Sequence, residues 1–292
     1  MKKSKVKVQI INAFVDNNKG GNPAGMVLES DFLSKEDKLK IAKKVGLSET
    51  AFVSNSKNAD FKLDFFTPTK QIAHCGHATV ATFSYLKQMK YVTTSQSSKE
   101  TIDGNREIRF DGELAFMEQK APKYIDVADD VKMVLKSLQL QESDLLGDAS
   151  IELVNTGNSF IIIPVKNLET LKDIVPDLDA ISKISEKFDL IGYYVFTPNI
   201  GNSNRDASAR MFGPRYGINE EAGTGMAAGP LACYLYDKLN VNKTRLLIQQ
   251  GEFMKSPSPS LITVDLKTSN NTITGLMAGG KGIVKSEIEI DI

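Results

Sequence analysis

"FFTPTKQIAHCGHATVATFSYL" (residues 65–86) and "MFGPRYGINEEAGTGMAAGPLACYL" (211–235) read as one pattern written twice. Phe66 aligns with Phe212, Pro68 with Pro214 and Ile72 with Ile218, all at an offset of 146. After one inserted residue, Cys75-Gly76 aligns with Ala222-Gly223 at an offset of 147, and each block runs into a small-residue amphipathic segment (77–88 and 224–239). The flanks agree, since "ETAFVSN" and "ADFKLDFF" precede the first block as "DLIGYYVFTP" and "RDASARMF" precede the second. An offset of half the 292-residue chain predicts two homologous lobes, 1–120 and 121–292, joined near "QKAPKY", with the last strand able to return to the first lobe. The alternative is chance likeness of two strand–loop–helix units.

Outward from these blocks the pattern is α+β. Val6, Val8 and Ile10 alternate with Lys5, Lys7 and Gln9, a half-buried strand. Further strands are expected at 24–29, 49–54, 60–67 and 105–118. In the second half they are expected near 151–154, 158–165, 189–197, 206–212, 244–250, 260–266, 273–278 and 282–290. Ser34 predicts a capped helix over 35–45 that ends at Gly46, with Leu39, Ala42 and Val45 inward. Helices are also expected over 128–139 and 178–187. "KGGNPAG" lacks the Gly-Lys-Ser/Thr ending of a phosphate loop and reads as a hairpin turn.

The 36 Lys and Arg balance the 36 Asp and Glu, which argues against nucleic acid or an anionic membrane as main partner. No segment approaches the ~20 apolar residues of a membrane span. Two cysteines and no signal-like start point to a reducing, cytoplasmic setting.

Residues 72–82 hold both histidines, His74 and His77, together with Cys75. As metal ligands these near-consecutive residues converge poorly, and carboxylates or Cys233 would have to complete the shell. As a nucleophile, Cys75 sits where a helix start lowers a thiol pKa. It can equally be a small residue packed at a tight turn. His77 suits hydrogen bonding or proton carriage in the first turn. Both blocks place a glycine before a helix, where amides without helical partners favour an anion. Two such turns facing each other across a cleft would hold a small carboxylate. Cys233, in "PLACYLYDKL", reads as a buried small hydrophobe.

"GGNPAGMVL" (20–28), "LSETAFV" (47–53), "FFTPTKQIAHCGHAT" (65–79), "EEAGTGMAAG" (220–229) and "QQGEF" (249–253) resemble, in order and spacing, the phenazine biosynthesis PhzF-like isomerase family. The resemblance implies the diaminopimelate epimerase-like fold: two α/β lobes, each a curved, barrel-like sheet around a central helix, with the site between them. It further implies a homodimer without metal or organic cofactor that moves a proton on a small carboxylate-bearing substrate. The acid–base glutamate falls on Glu49, which would otherwise read as a solvated strand-end carboxylate. Substrate contacts fall on Asn22, Ser48, Cys75 and Gly76, and His77 falls on the family histidine. In the second block Glu221 stands for the family's aspartate and Met226 for a serine, with Thr224 and Gly225 between them. Ala222 replaces the second cysteine of two-thiol racemases. An epimerase pairing Glu49 with Cys75 is the rival enzyme; a carboxylate-binding scaffold is the rival of another class.

Overall fold

The computed structural model describes residues 5–201 and 204–292 and divides the chain into two compact units. One unit runs to Glu118 and resumes at Gly279–Ile292; the other is Gln119–Ala278.

The first unit holds strands β1 (Lys5–Ala13), β2 (Asn22–Val27), β3 (Thr50–Ser54), β4 (Phe61–Phe66), β5 (Gln71–Ile72), β6 (Gln96–Thr101), β7 (Gly104–Asp111) and β8 (Leu114–Lys120). The unit boundary cuts β8 near its end. The second unit holds β9 (Lys123–Asp126), β10 (Glu152–Asn155), β11 (Ser159–Pro164), β12 (Gly192–Thr197), β13 (Ala207–Gly213), β14 (Ile218–Glu221), β15 (Arg245–Gln250) and β16 (Ser260–Ser269). β17 (Thr272–Lys281) spans the second boundary, and β18 (Ile283–Asp291) pairs antiparallel with β1 along its length.

The internal repeat is visible as a repeated pairing scheme. In the first unit β1–β2 is antiparallel, β2–β3 parallel, β3–β4 and β4–β5 antiparallel, β4–β6 parallel and β6–β7 antiparallel. In the second unit β10–β11, β11–β12, β12–β13, β13–β14, β13–β15 and β15–β16 follow the same sequence of senses. Each scheme encloses one 13-residue helix, α2 (Gly76–Gln88) or α6 (Gly225–Asp237). Both helices are composed of small and apolar residues with little polar face, and such helices are buried on most sides. α2 packs on β1, β2, β3 and β18, whereas α6 packs on β10, β11 and β16.

The shorter helices close the outer faces. α1 (Lys35–Val45) has the expected Ser34 capping box and ends at Gly46 in the left-handed region, φ 70°. Its inward face is Lys38, Ile41 and Ala42, with Leu39 and Val45 partly buried, and it joins a core of Val6, Val8, Phe52 and Phe66. In the second unit α3 (Val131–Ser137), α4 (Leu168–Asp173) and α5 (Leu178–Lys187) supply Val134, Leu135, Leu171, Ile181 and Ile184 to a core with Ile161, Ile163 and Phe212.

Three expectations change. The strand expected over 105–118 is the hairpin β7–β8, turned at Gly112 with φ 57°. The helix expected over 128–139 is shorter, a single 3-10 turn followed by α3. β5, β6, β9, β14 and α4 lie where no element was expected. Among the described residues no helix is long and apolar enough to cross a membrane.

Candidate active site

In the first unit the site is made by the start of β3 and the start of α2. Glu49 directly precedes β3, and its carbonyl accepts the Gly25 N–H at 3.0 Å. A Cβ at Gly25 would lie 2.8 Å from the Thr50 hydroxyl, so glycine is what lets β2 and β3 approach here. Glu49 is only 8% exposed. His77, the second residue of α2, is 4% exposed, and its Nε2 lies 3.2 Å from Glu49 Oε2. The two are within ion-pair range but are not aligned as a hydrogen bond. On the other edge of the ring, His77 Nδ1 is 3.6 Å from Cys75 Sγ.

Thiol, imidazole and carboxylate thus form one buried row. Ligand atoms of Glu49, Cys75 and His77 lie within 4.8 Å of one another, close enough to hold a cation. Yet the thiol faces Nδ1 and the carboxylate faces Nε2, so the three are strung along the imidazole instead of surrounding a point. That arrangement suits passing a proton. Burial pushes the Cys75 thiol up; the nearby His77 opposes this and the Glu49 carboxylate adds to it. This corrects the expectation of a pKa lowered by the helix start: desolvation outweighs it, and Cys75 is a thiol near neutral pH.

His74 does not join the row. Its Nδ1 is 3.2 Å from Lys99 Nζ and its ring meets Phe65 edge-on. Burial and the Lys99 charge hold the imidazole well below its usual pKa. Asn22 is buried at the start of β2, after the hairpin turn that the Gly-Gly pair makes possible; Gly21 has φ 87°, and a Cβ there would lie 2.7 Å from the Ala13 carbonyl. Ser48 is exposed.

The second unit builds its turn on the same plan. Glu221 ends β14 half-buried, Ala222 to Gly225 are buried, and Thr224 precedes the first residue of α6. The Thr224 hydroxyl donates to the Glu221 carboxylate. Gln250, 1% exposed, fixes this turn from β15. Its Oε1 accepts the Thr224 amide at 3.1 Å and the Tyr194 hydroxyl at 2.9 Å. Its Nε2 donates to the Glu221 carbonyl at 2.7 Å and to Thr224 Oγ1 at 3.1 Å. The Thr224 amide is thus committed to the protein, which leaves the amides of Gly225 and Met226 as the first-turn donors that helix geometry does not pair. Met226 Sδ accepts from Asn158 Nδ2 at 3.4 Å, so the thioether in the serine position still acts as an acceptor.

Neighbouring carboxylates divide their work. Glu220 makes a two-pronged bond to Arg210 (2.8 and 3.0 Å), whose third nitrogen binds the carbonyls of Leu171, Lys172 and Ile174. Glu220 is structural; Glu221 faces the turn. Gln250 and Tyr194 had no assigned role from sequence, although "QQGEF" contains the former.

An α+β chain with one strand scheme used twice, each time around a helix that starts at a glycine turn, has the diaminopimelate epimerase-like architecture. A hydroxyproline epimerase of Agrobacterium vitis shares the fold at a TM-score of 0.63 and 10% identity, covering 100% of this chain and 92% of that one. The chain belongs to the phenazine biosynthesis-like (PhzC-PhzF) family, whose profile matches residues 11–287. A PhzF-family phenazine biosynthesis protein of Bacillus anthracis superposes with a TM-score of 0.88 at 26% identity, over 99% of this chain and 100% of that one. An uncharacterized isomerase of Clostridium acetobutylicum is 32% identical, covering 96% of this chain and 97% of its own length. The trans-2,3-dihydro-3-hydroxyanthranilate isomerase of Pseudomonas chlororaphis is 26% identical, with 94% and 95% covered.

Proposed function

We propose that the chain is an isomerase that moves a proton on a small carboxylate-bearing metabolite, with Glu49 as the general acid–base. The observation that carries this is Glu49 Oε2. It is buried, 3.2 Å from an imidazole nitrogen, and has no hydrogen-bond partner among the described residues. A buried polar atom left so costs about 1–3 kcal/mol, more when charged. Such an atom in a native structure calls for an explanation, and a catalytic role is one. In the reaction Glu49 takes a proton from an activated carbon and the electron pair moves into the adjoining unsaturated system. The protonated carboxyl then returns the proton to a second carbon, which shifts the double bond. His77 orients the carboxylate; in the second unit the first-turn amides of Gly225 and Met226 are donors of the kind that hold a carboxylate. Preorganised donors of this kind contribute a few kcal/mol each to the transition state.

Glu49→Gln tests it. Small amino acids and cyclic dienoic acids are screened for exchange of carbon-bound hydrogen with deuterated water. The variant should lose about 10²–10⁴-fold in exchange rate. Exchange at the wild-type rate removes Glu49 from the role, and binding without exchange in the wild type favours a scaffold. The row through His77 to Cys75 supports a second reading, an epimerase in which carboxylate and thiol serve one carbon from opposite sides. Cys75→Ala separates the two: it is nearly silent in an isomerase and abolishes an epimerase.

A further inference from the structure

Lys99 is wholly buried in β6, a strand whose sequence shows no apolar face. Its ammonium has two neutral hydrogen-bonding neighbours, Thr79 Oγ1 at 2.6 Å and His74 Nδ1 at 3.2 Å, and lies 5.1 Å from the centre of the Phe65 ring. Thr79 in turn donates its hydroxyl to the Cys75 carbonyl at 2.6 Å. That carbonyl also receives the first helical amide of α2, Thr79 N–H, at a long 3.3 Å. The side chain of Thr79 is therefore the shorter tie on the first turn, and Lys99 anchors it. Burying an amine without a carboxylate partner is unfavourable, and a fold that keeps one has a use for it.

We propose that Lys99 is a positioning residue: through the Thr79 hydroxyl it holds the Cys75 carbonyl and so fixes the turn that presents Gly76 and His77. This rests on the reading of Glu49 and His77 as the reacting pair. Lys99 meets the turn through the Thr79 hydroxyl and the His74 imidazole. The titratable and charged groups around it are His74 and Cys75 at the head of α2, Arg106 on β7 and Asp103 in the turn before it. Burial pushes Lys99 down to about 7; Cys75 and Asp103 oppose that shift and Arg106 adds to it.

The test needs no substrate, because the chain has two histidines and its imidazole signals can be followed one by one. His74→Gln assigns them. The pH titration of His77 is compared in the wild type, Lys99→Met, Thr79→Val and Thr79→Ser. Thr79→Val and Lys99→Met should each move the His77 midpoint by about 0.5 or more, a differential interaction of ordinary size for one lost contact. Thr79→Ser should restore it. The double variant should move it no further than the larger single, since both act on one chain of bonds. An unmoved His77 in folded Thr79→Val overturns the proposal. So does a Thr79→Val chain that fails to fold while Thr79→Ser folds, because the contact is then one of stability. On any acid that exchanges hydrogen in the wild type, Thr79→Val should lower kcat with KM unchanged. Loss of the Glu49 reading shows only in the Glu49→Gln exchange assay, so the two failures are distinct.

Discussion

Replacing Gln250 by leucine keeps most of the side-chain volume and deletes every bond from this side chain to the second turn. The Thr224 amide and the Tyr194 hydroxyl, both buried, lose their acceptor, while the half-buried Glu221 carbonyl loses its donor. At roughly 1–3 kcal/mol for each buried group stranded, the two enclosed ones set a loss of about 2–6 kcal/mol. For a domain of this size each kcal/mol lowers the melting temperature by about 2–4 °C. The expected fall is therefore on the order of 10 °C, read by calorimetry. Tyr194→Phe removes one of these bonds, without stranding a donor, and should cost only about 1 kcal/mol. Hydrogen exchange at the Thr224 amide reports the turn itself, protected in the wild type and open in Gln250→Leu. If Gln250→Leu melts within about 2 °C of the wild type, well inside the expected loss, and the Thr224 amide stays protected, the clamp does not hold this turn.

Lys99→Met should change the pH dependence of stability. The folded-state value lies near 7, below the 10.5 of the free side chain, so the unfolded chain binds the extra proton between these limits. Wild-type stability then rises with pH in that window, by up to about 1.4 kcal/mol per unit. The gap in stability, variant minus wild type, should shrink from pH 7 to pH 10 in urea titrations; a constant gap sinks the assignment. Burial raises both the Cys75 and the Cys233 thiols, so native protein should react slowly with iodoacetamide at pH 7.5, and two thiols should appear on denaturation. Rapid labelling of Cys75 would contradict this. Glu220→Gln leaves Arg210 buried and half-satisfied and should cost about 3–5 kcal/mol. Glu221→Gln should melt near the wild type and act on substrate binding; equal melting losses would show that the neighbours do not differ.

Much of the architecture was legible because backbone demands are local. Ser34 and Gly46 mark both ends of α1, and the glycines that open α2 and α6 mark the two turns. β6 escaped for a physical reason. Its inward residues are Ser97, Lys99 and Thr101, so the two-residue alternation exists but is written in polar side chains. α4 escaped because six residues hardly establish a helical period. Glu49 was singled out only through the family resemblance, since alone it reads as a solvated strand-end carboxylate; its burial beside His77 is set by the fold. The site was not legible where partners come from distant strands: nothing near His74 announces Lys99, and nothing near Glu221 announces Gln250 and Tyr194. Nor could spacing tell Glu220 from Glu221, since only Arg210 across the β13–β14 hairpin decides which carboxylate is occupied.

The seam between β1 and β18 joins Lys5 to Glu289, 284 positions along the chain. During synthesis, β1 leaves the ribosome early and waits with one hydrogen-bonding edge bare until the whole second unit has been made. A bare edge recruits other strands. A nascent chain of this kind calls for a chaperone until its own C-terminal strand arrives. Stop codons near the 3′ end should therefore send the protein to aggregates even though they leave Glu49, His77 and Glu221 in place.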